Sequence, residues 1–132
     1  MGVVLDTHAL VWYLLGSPRL SGTAKARIDA ALASGETLFV SAVTLVELVY
    51  LVEKGRLPAV VAERMSALLD DAGSGLVVAQ LDRGTADAVA RVPRDTVPDM
   101  PDRIIAATAL YLGMPLVTRD GKIRAADLET IW

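Results

Sequence analysis

The chain predicts an α/β fold in which a central, mostly parallel sheet is flanked by helices on both faces. Short apolar runs such as Val3-Val4-Leu5 read as buried strands. They alternate with longer stretches of helical character, and glycine and proline punctuate the chain at intervals suited to α/β units. The 132 residues suffice for one compact domain and are too few for two ordinary ones. With 53% apolar and 22% charged residues the chain can fill a sizeable core. No repeat or linker divides it, so a single domain over residues 1–132 is expected.

In order, residues 3–5 form the first strand, and residues 7–15 follow as a short helix ended by Gly16-Ser17-Pro18. Ser21 caps a second helix to about residue 34, where Gly35 stops it. Residues 38–40 are the next strand, and Ser41 caps a strongly apolar helix over 42–54, closed by Gly55. Pro58 suits the first turn of a helix reaching about residue 72. Residues 76–79 form a strand, and 83–91 are helical. Residues 92–101 carry three prolines and two aspartates and read as a loop. A helix over 102–112 ends at Gly113, a strand follows at 116–118, and a short turn or helix leads to a last strand near 129–132.

Composition excludes several chemistries. There is no cysteine, hence no disulfide, thiolate metal site or cysteine nucleophile, and a reducing cytosol fits. The longest apolar stretch, 40–52, is interrupted by Glu47 and too short to span a membrane. The N-terminus lacks the basic region of a signal peptide. A net charge of −3 argues against nonspecific nucleic-acid binding, which rests on phosphate neutralisation. An RNA substrate would have to be held by local basic groups, metal ions or a dimer cleft.

The acids carry the chemistry. Asp6 directly follows the first strand, and Asp120 lies two residues past Thr118. Both fall at the carboxyl end of a parallel strand, where ligand sites of such sheets lie. Glu47 sits in a helix that is apolar almost all round, so its ionisation calls for a partner cation, unless it faces one solvated stripe or pairs with a lysine or arginine. Asp99 reads as a helix N-cap with Asp102 in the first turn, which does not prevent Asp102 from facing a metal. Four carboxylates brought together would repel, and divalent cations remove the conflict. Oxygen-only ligation suits Mg2+ or Mn2+, as one or two ions, far better than Zn2+. Such a site can activate water against a phosphodiester.

These segments resemble the PIN-domain ribonuclease toxins of the VapC family. The likeness lies in the opening 3–12 (VVLDTHALVW), in 41–48 (SAVTLVEL), in 99–109 (DMPDRIIAATA), in 116–120 (LVTRD) and in the terminal Ile131-Trp132. It covers essentially the whole chain. The resemblance implies a PIN-like fold and Mg2+- or Mn2+-dependent endonucleolytic cleavage of RNA, often transfer RNA. It also implies a homodimer neutralised by a small VapB-like antitoxin with a DNA-binding arm, and a cytoplasmic location. Asp6, Glu47, Asp102 and Asp120 carry over as catalytic and metal-binding residues. Asp6 and Asp102 are expected in direct metal contact, Glu47 completing the shell or holding a metal-bound water, and Asp120 acting through a second ion or water. Thr118 would orient a carboxylate or bind phosphate.

Arg103, Arg119, Lys122 and Arg124 are phosphate candidates, because each neighbours a motif acid or the turn after it. His8, the only histidine, is expected to be structural or substrate-facing rather than catalytic. Trp12 is expected to be packing, with Tyr13 near the surface. The alternative function is a catalytically silent PIN-like module that binds RNA or protein. A receiver domain would need an acceptor aspartate on a central strand, and a haloacid-dehalogenase-type phosphatase would need an acid where His8 stands. The hydrolase reading requires Asp6, Glu47 and Asp102 to meet around one divalent ion.

Overall fold

Five strands, β1 (Gly2–Leu5), β2 (Thr37–Ser41), β3 (Leu76–Ala79), β4 (Leu116–Val117) and β5 (Thr130–Ile131), pair into one sheet in the order β3-β2-β1-β4-β5 in a computed structural model that describes residues 1–132. Every pairing is parallel, and Leu5 lies between Val40 and Val117. The helices are α1 (Thr7–Leu15), α2 (Gly22–Ala33), α3 (Ala42–Glu53), α4 (Ala59–Asp70), α5 (Arg83–Ala88), α6 (Met100–Leu112) and α7 (Gly121–Arg124). A 3-10 turn at Val89–Arg91 extends α5. No helix is long and apolar enough to cross a membrane.

The two-residue period of a strand sends its side chains to two cores. Val3, Leu5, Leu38, Val40, Leu76 and Val117 pack under Leu10, Ile28, Leu48, Val61 and Met65 of α1 to α4. Val4 and Leu116 point the other way, into Ile105, Ala106 and Ala109 of α6 with Ala88, Val92, Val97 and Ile123. The sheet is thus covered on both faces, as its apolar strands require. From β1 the chain steps out to β2 and β3, then returns to place β4 on the other side of β1. The switch point lies between β1 and β4, and the crevice beyond their carboxyl ends is where a ligand site belongs.

Helix α6 begins two residues before the expected start at 102. Asp99 caps it by accepting from the Asp102 amide at 3.1 Å, and Pro101 sits in the first turn, where its missing N–H costs nothing. Pro58 is the extended residue just before α4 rather than part of its first turn. Helix α3 also departs from expectation. Only Thr44 and Leu48 are fully buried on it, while Val46, Val49 and Tyr50 are 55%, 52% and 58% exposed. The helix touches β2, α1, α4 and α6, which occupy one side of it and leave the other to solvent.

Arg103, a phosphate candidate by sequence, does not line the acidic cavity at the carboxyl edge of the sheet. Its guanidinium donates to the carbonyls of Val89, at 3.0 Å, and Val92, at 2.8 and 3.2 Å. A planar fork bridges two carbonyls at the end of the 3-10 turn, adding to the bond that the Val89 carbonyl already accepts from the Val92 amide. Arg103→Ala should lower unfolding free energy by about 1–3 kcal/mol. Arg103→Lys should recover little of that in a urea titration, since an ammonium cannot span both acceptors.

Candidate active site

Asp6 is set by two elements at once. It follows β1, its amide donates to the Val117 carbonyl at 3.1 Å, and it is the N-cap of α1 through Oδ1, which accepts from the Ala9 amide at 2.8 Å. Only 7% of the residue is exposed. Burial raises its carboxyl pKa above the ordinary value and the charge of Asp120 adds to that. Hydrogen bonds from Thr118 and the Ala9 amide, and the neighbouring His8, pull the other way.

Across the switch point, Asp120 caps α7 in the same manner, its Oδ1 accepting from the amides of Lys122 at 2.8 Å and Ile123 at 3.4 Å. Fully buried Thr118 lies between these two acids. Its Oγ1 accepts from the Asp120 amide at 3.0 Å while its side chain hydrogen-bonds Asp6. The threonine thus ties the backbone at Asp120 to the neighbourhood of Asp6.

Glu47 projects from α3 and is held by Thr7, whose hydroxyl donates to Glu47 Oε1 at 2.6 Å. Thr7 has one proton to give, so at 3.0 Å the wholly buried Thr44 hydroxyl donates to Thr7 Oγ1. Thr44 and Thr7 orient Glu47, which is only partly buried and lines the cavity, and no lysine or arginine pairs with it. Thr7→Val should leave the Thr44 hydroxyl buried without an acceptor and cost about 1–3 kcal/mol in thermal or chemical denaturation. Thr7→Ser should restore most of it.

Asp102 lies in the first turn of α6. Its carboxyl is pushed up to about 7, first by burial and then by the charges of Asp99, Asp120, Glu47 and Asp6. The four acids thus converge electrically as well as spatially: Asp6, Glu47, Asp102 and Asp120 all line one cavity of about 360 Å³ at the carboxyl edge of the sheet. Thr7, His8, Trp12, Arg19, Ile105 and Arg119 complete its wall.

The expectation that Asp6, Glu47 and Asp102 jointly grip a single ion is not met in that form. No three acid or histidine side chains stand close enough to do so. The four acids come from four different elements, and Asp6 and Asp120 each commit an oxygen to a helix cap. The donor set still fits a hard cation. Mg2+ keeps several waters and is held through one or two carboxylates, so it needs no three-acid cage. Asp6 and Asp102 remain the two acids whose own pKa is raised by crowding and burial, the conflict a cation relieves.

Among the basic candidates only Arg119 lines the cavity; Lys122 and Arg124 are exposed outside it, and Arg103 serves the 3-10 turn. Arg19 and Thr7 are site residues that the sequence motifs do not single out. Arg19 lies in the turn between α1 and α2, next to no motif, so nothing local marks it. Thr7 offers one signal, a hydroxyl beside the first acid. Trp12 is buried as expected and yet shows part of its surface to the cavity.

Fold and site together define an α/β domain with an acid-lined cavity at the carboxyl edge of a parallel sheet. The family model described as PIN domain matches residues 3–128, and the chain belongs to the PIN-domain family. It is 29% identical over 123 residues to "Ribonuclease VapC22" of Mycobacterium tuberculosis, spanning 93% of this chain and 90% of that protein. Among solved structures, VapBC2 from Rickettsia felis bound to a promoter DNA fragment matches with TM-score 0.73 and 18% identity, over 98% of this chain and 97% of that one. A toxin–antitoxin complex from Klebsiella pneumoniae matches with TM-score 0.67 and 23% identity, over 99% and 97%. At these identities the structural likeness establishes the fold.

Proposed function

We propose that this chain is a single-domain, Mg2+- or Mn2+-dependent endoribonuclease that acts as the toxin of a toxin–antitoxin pair in the cytoplasm. The observation that carries the reading is the convergence of Asp6, Glu47, Asp102 and Asp120 on one cavity at the sheet's switch point. The ribonuclease name of the Mycobacterium relative and the toxin–antitoxin assemblies of the structural neighbours support it.

In this reading Asp6 and Asp102 hold the cation. Glu47, fixed by Thr7, positions the attacking water, and Asp120, fixed by the first amides of α7, stands on the opposite side of the switch point. When bound, a divalent ion supplies a nucleophilic water at neutral pH and steadies charge on the phosphodiester. The crowded carboxylates favour cation uptake because each negative charge is relieved by it. The exposed Val46 and Tyr50 of α3 with Met100 of α6 border a mostly apolar groove of about 350 Å³, suited to a second subunit or an antitoxin helix.

The test is incubation of the purified chain with total cellular RNA and with transfer RNA. Cleavage should require Mg2+ or Mn2+, stop with chelator and return when the metal is restored. Absence of cleavage of every RNA under those conditions would overturn the reading in favour of a silent binding module.

A further inference from the structure

Two guanidinium groups line the acidic cavity, those of Arg19 and Arg119, and neither forms an ion pair with its four carboxylates. Both residues are exposed. Arg119 is nonetheless held in place: its guanidinium carbon lies 4.7 Å from the centroid of the Trp12 ring, in cation–π geometry. Trp12 is braced in turn by Trp132, 5.8 Å away, and by His8, 5.5 Å away. An arginine stacked on an aromatic face keeps its N–H edge free, and that edge matches phosphate geometry. Four acids repel a polyanion, so a phosphodiester entering here needs fixed positive charge beyond what the ions supply.

We propose that Arg19 and Arg119, the latter seated on Trp12, form a clamp for a phosphate of the RNA flanking the scissile bond. The inference rests on the ribonuclease reading and adds the element that orients the substrate. It also answers how a chain of net charge −3 retains a polyanion: the unpaired cations are placed at the cavity instead of spread over the surface. Arg19 comes from the turn after α1 and Arg119 from the end of β4, so only the folded chain joins them.

The protein reports on this clamp by itself. Its two tryptophans, Trp12 and Trp132, both belong to the cluster, so all indole emission arises beside the site. Asp6→Asn protein, in which cleavage is blocked, is titrated with a short single-stranded oligoribonucleotide at several salt concentrations. Tryptophan emission should change on binding. Arg19→Ala and Arg119→Ala in that background should each weaken binding by roughly tenfold and make the salt dependence shallower by about 0.7 of a log unit per log unit. Arg56→Ala, outside the cavity lining, should change neither. In the cleaving protein the same substitutions should raise KM more than they lower kcat.

An Arg19→Ala/Arg119→Ala double variant that binds with unchanged affinity and salt slope would overturn the clamp while leaving the ribonuclease reading standing. Failure of the parent chain to cleave any RNA with Mg2+ or Mn2+ would instead overturn the reading beneath it. Should Arg119→Ala lower the melting temperature, Arg19→Ala decides, because that side chain donates no hydrogen bond within the protein.

Discussion

Asp6→Asn should reduce RNA cleavage by at least about a hundredfold, since metal assistance to phosphodiester chemistry is worth several kcal/mol. The fold should survive. Asparagine is as good an N-cap as aspartate, so the bond from the Ala9 amide to the side-chain oxygen persists. The variant also removes a carboxylate whose ionised form burial disfavours. Its melting temperature in chelator at neutral pH should therefore equal or exceed that of the parent. The parent should gain stability when Mg2+ or Mn2+ is added, by linkage, and the variant should lose most of that gain. Cleavage assays and thermal melts with and without divalent cation check both halves. Cleavage at the parental rate by the Asp6→Asn protein would remove Asp6 from the machinery.

The second large effect concerns pH. The Asp102 carboxyl is pushed up to about 7 in the folded chain against an ordinary value of 3.8. Between these values the folded state binds more protons than the unfolded one, so Asp102 contributes stability that is complete below 3.8 and is lost as pH rises through about 7. The loss should amount to about 1–2 kcal/mol once solvent screening of a half-exposed carboxylate is discounted. In chelator, denaturation curves from about pH 5 to about pH 8 should show this decline, and Asp102→Asn should flatten it. Divalent cation should offset the decline most at the alkaline end, where metal no longer competes with the proton. A parent profile as flat as that of Asp102→Asn would show that neither burial nor the charges of Asp99, Asp120, Glu47 and Asp6 raise this group.

Much of the fold is legible in the sequence because its signals are short-range. Ser21, Ser41, Asp99 and Asp120 mark helix starts through bonds spanning two or three residues, and Gly16 and Gly113 end helices in the left-handed conformation. The apolar strands β1 and β2 announce burial on both faces. Helix α3 shows where the same kind of evidence misleads. An apolar surface signals that something covers it, without saying whether the cover is the chain's own sheet. The end of the 92–101 segment reads as loop, although it opens α6, because proline in a helix's first turn looks like proline in a turn.

Residue type and position along the chain determined that acids would follow β1 and β4, and that an acid would fall within α3. Tertiary structure set that acid against Thr7 at the cavity, and it spaced the four carboxylates too widely for one three-acid cage. It also turned Arg103 inward to Val89 and Val92, and brought Arg19 to the same cavity as Arg119 and Trp12. The division has a physical cause. Caps, turns and strand burial depend on neighbours within a turn or two. Contacts between residues a hundred positions apart depend on strand order and on which side of β1 the chain returns to, and no local preference encodes either.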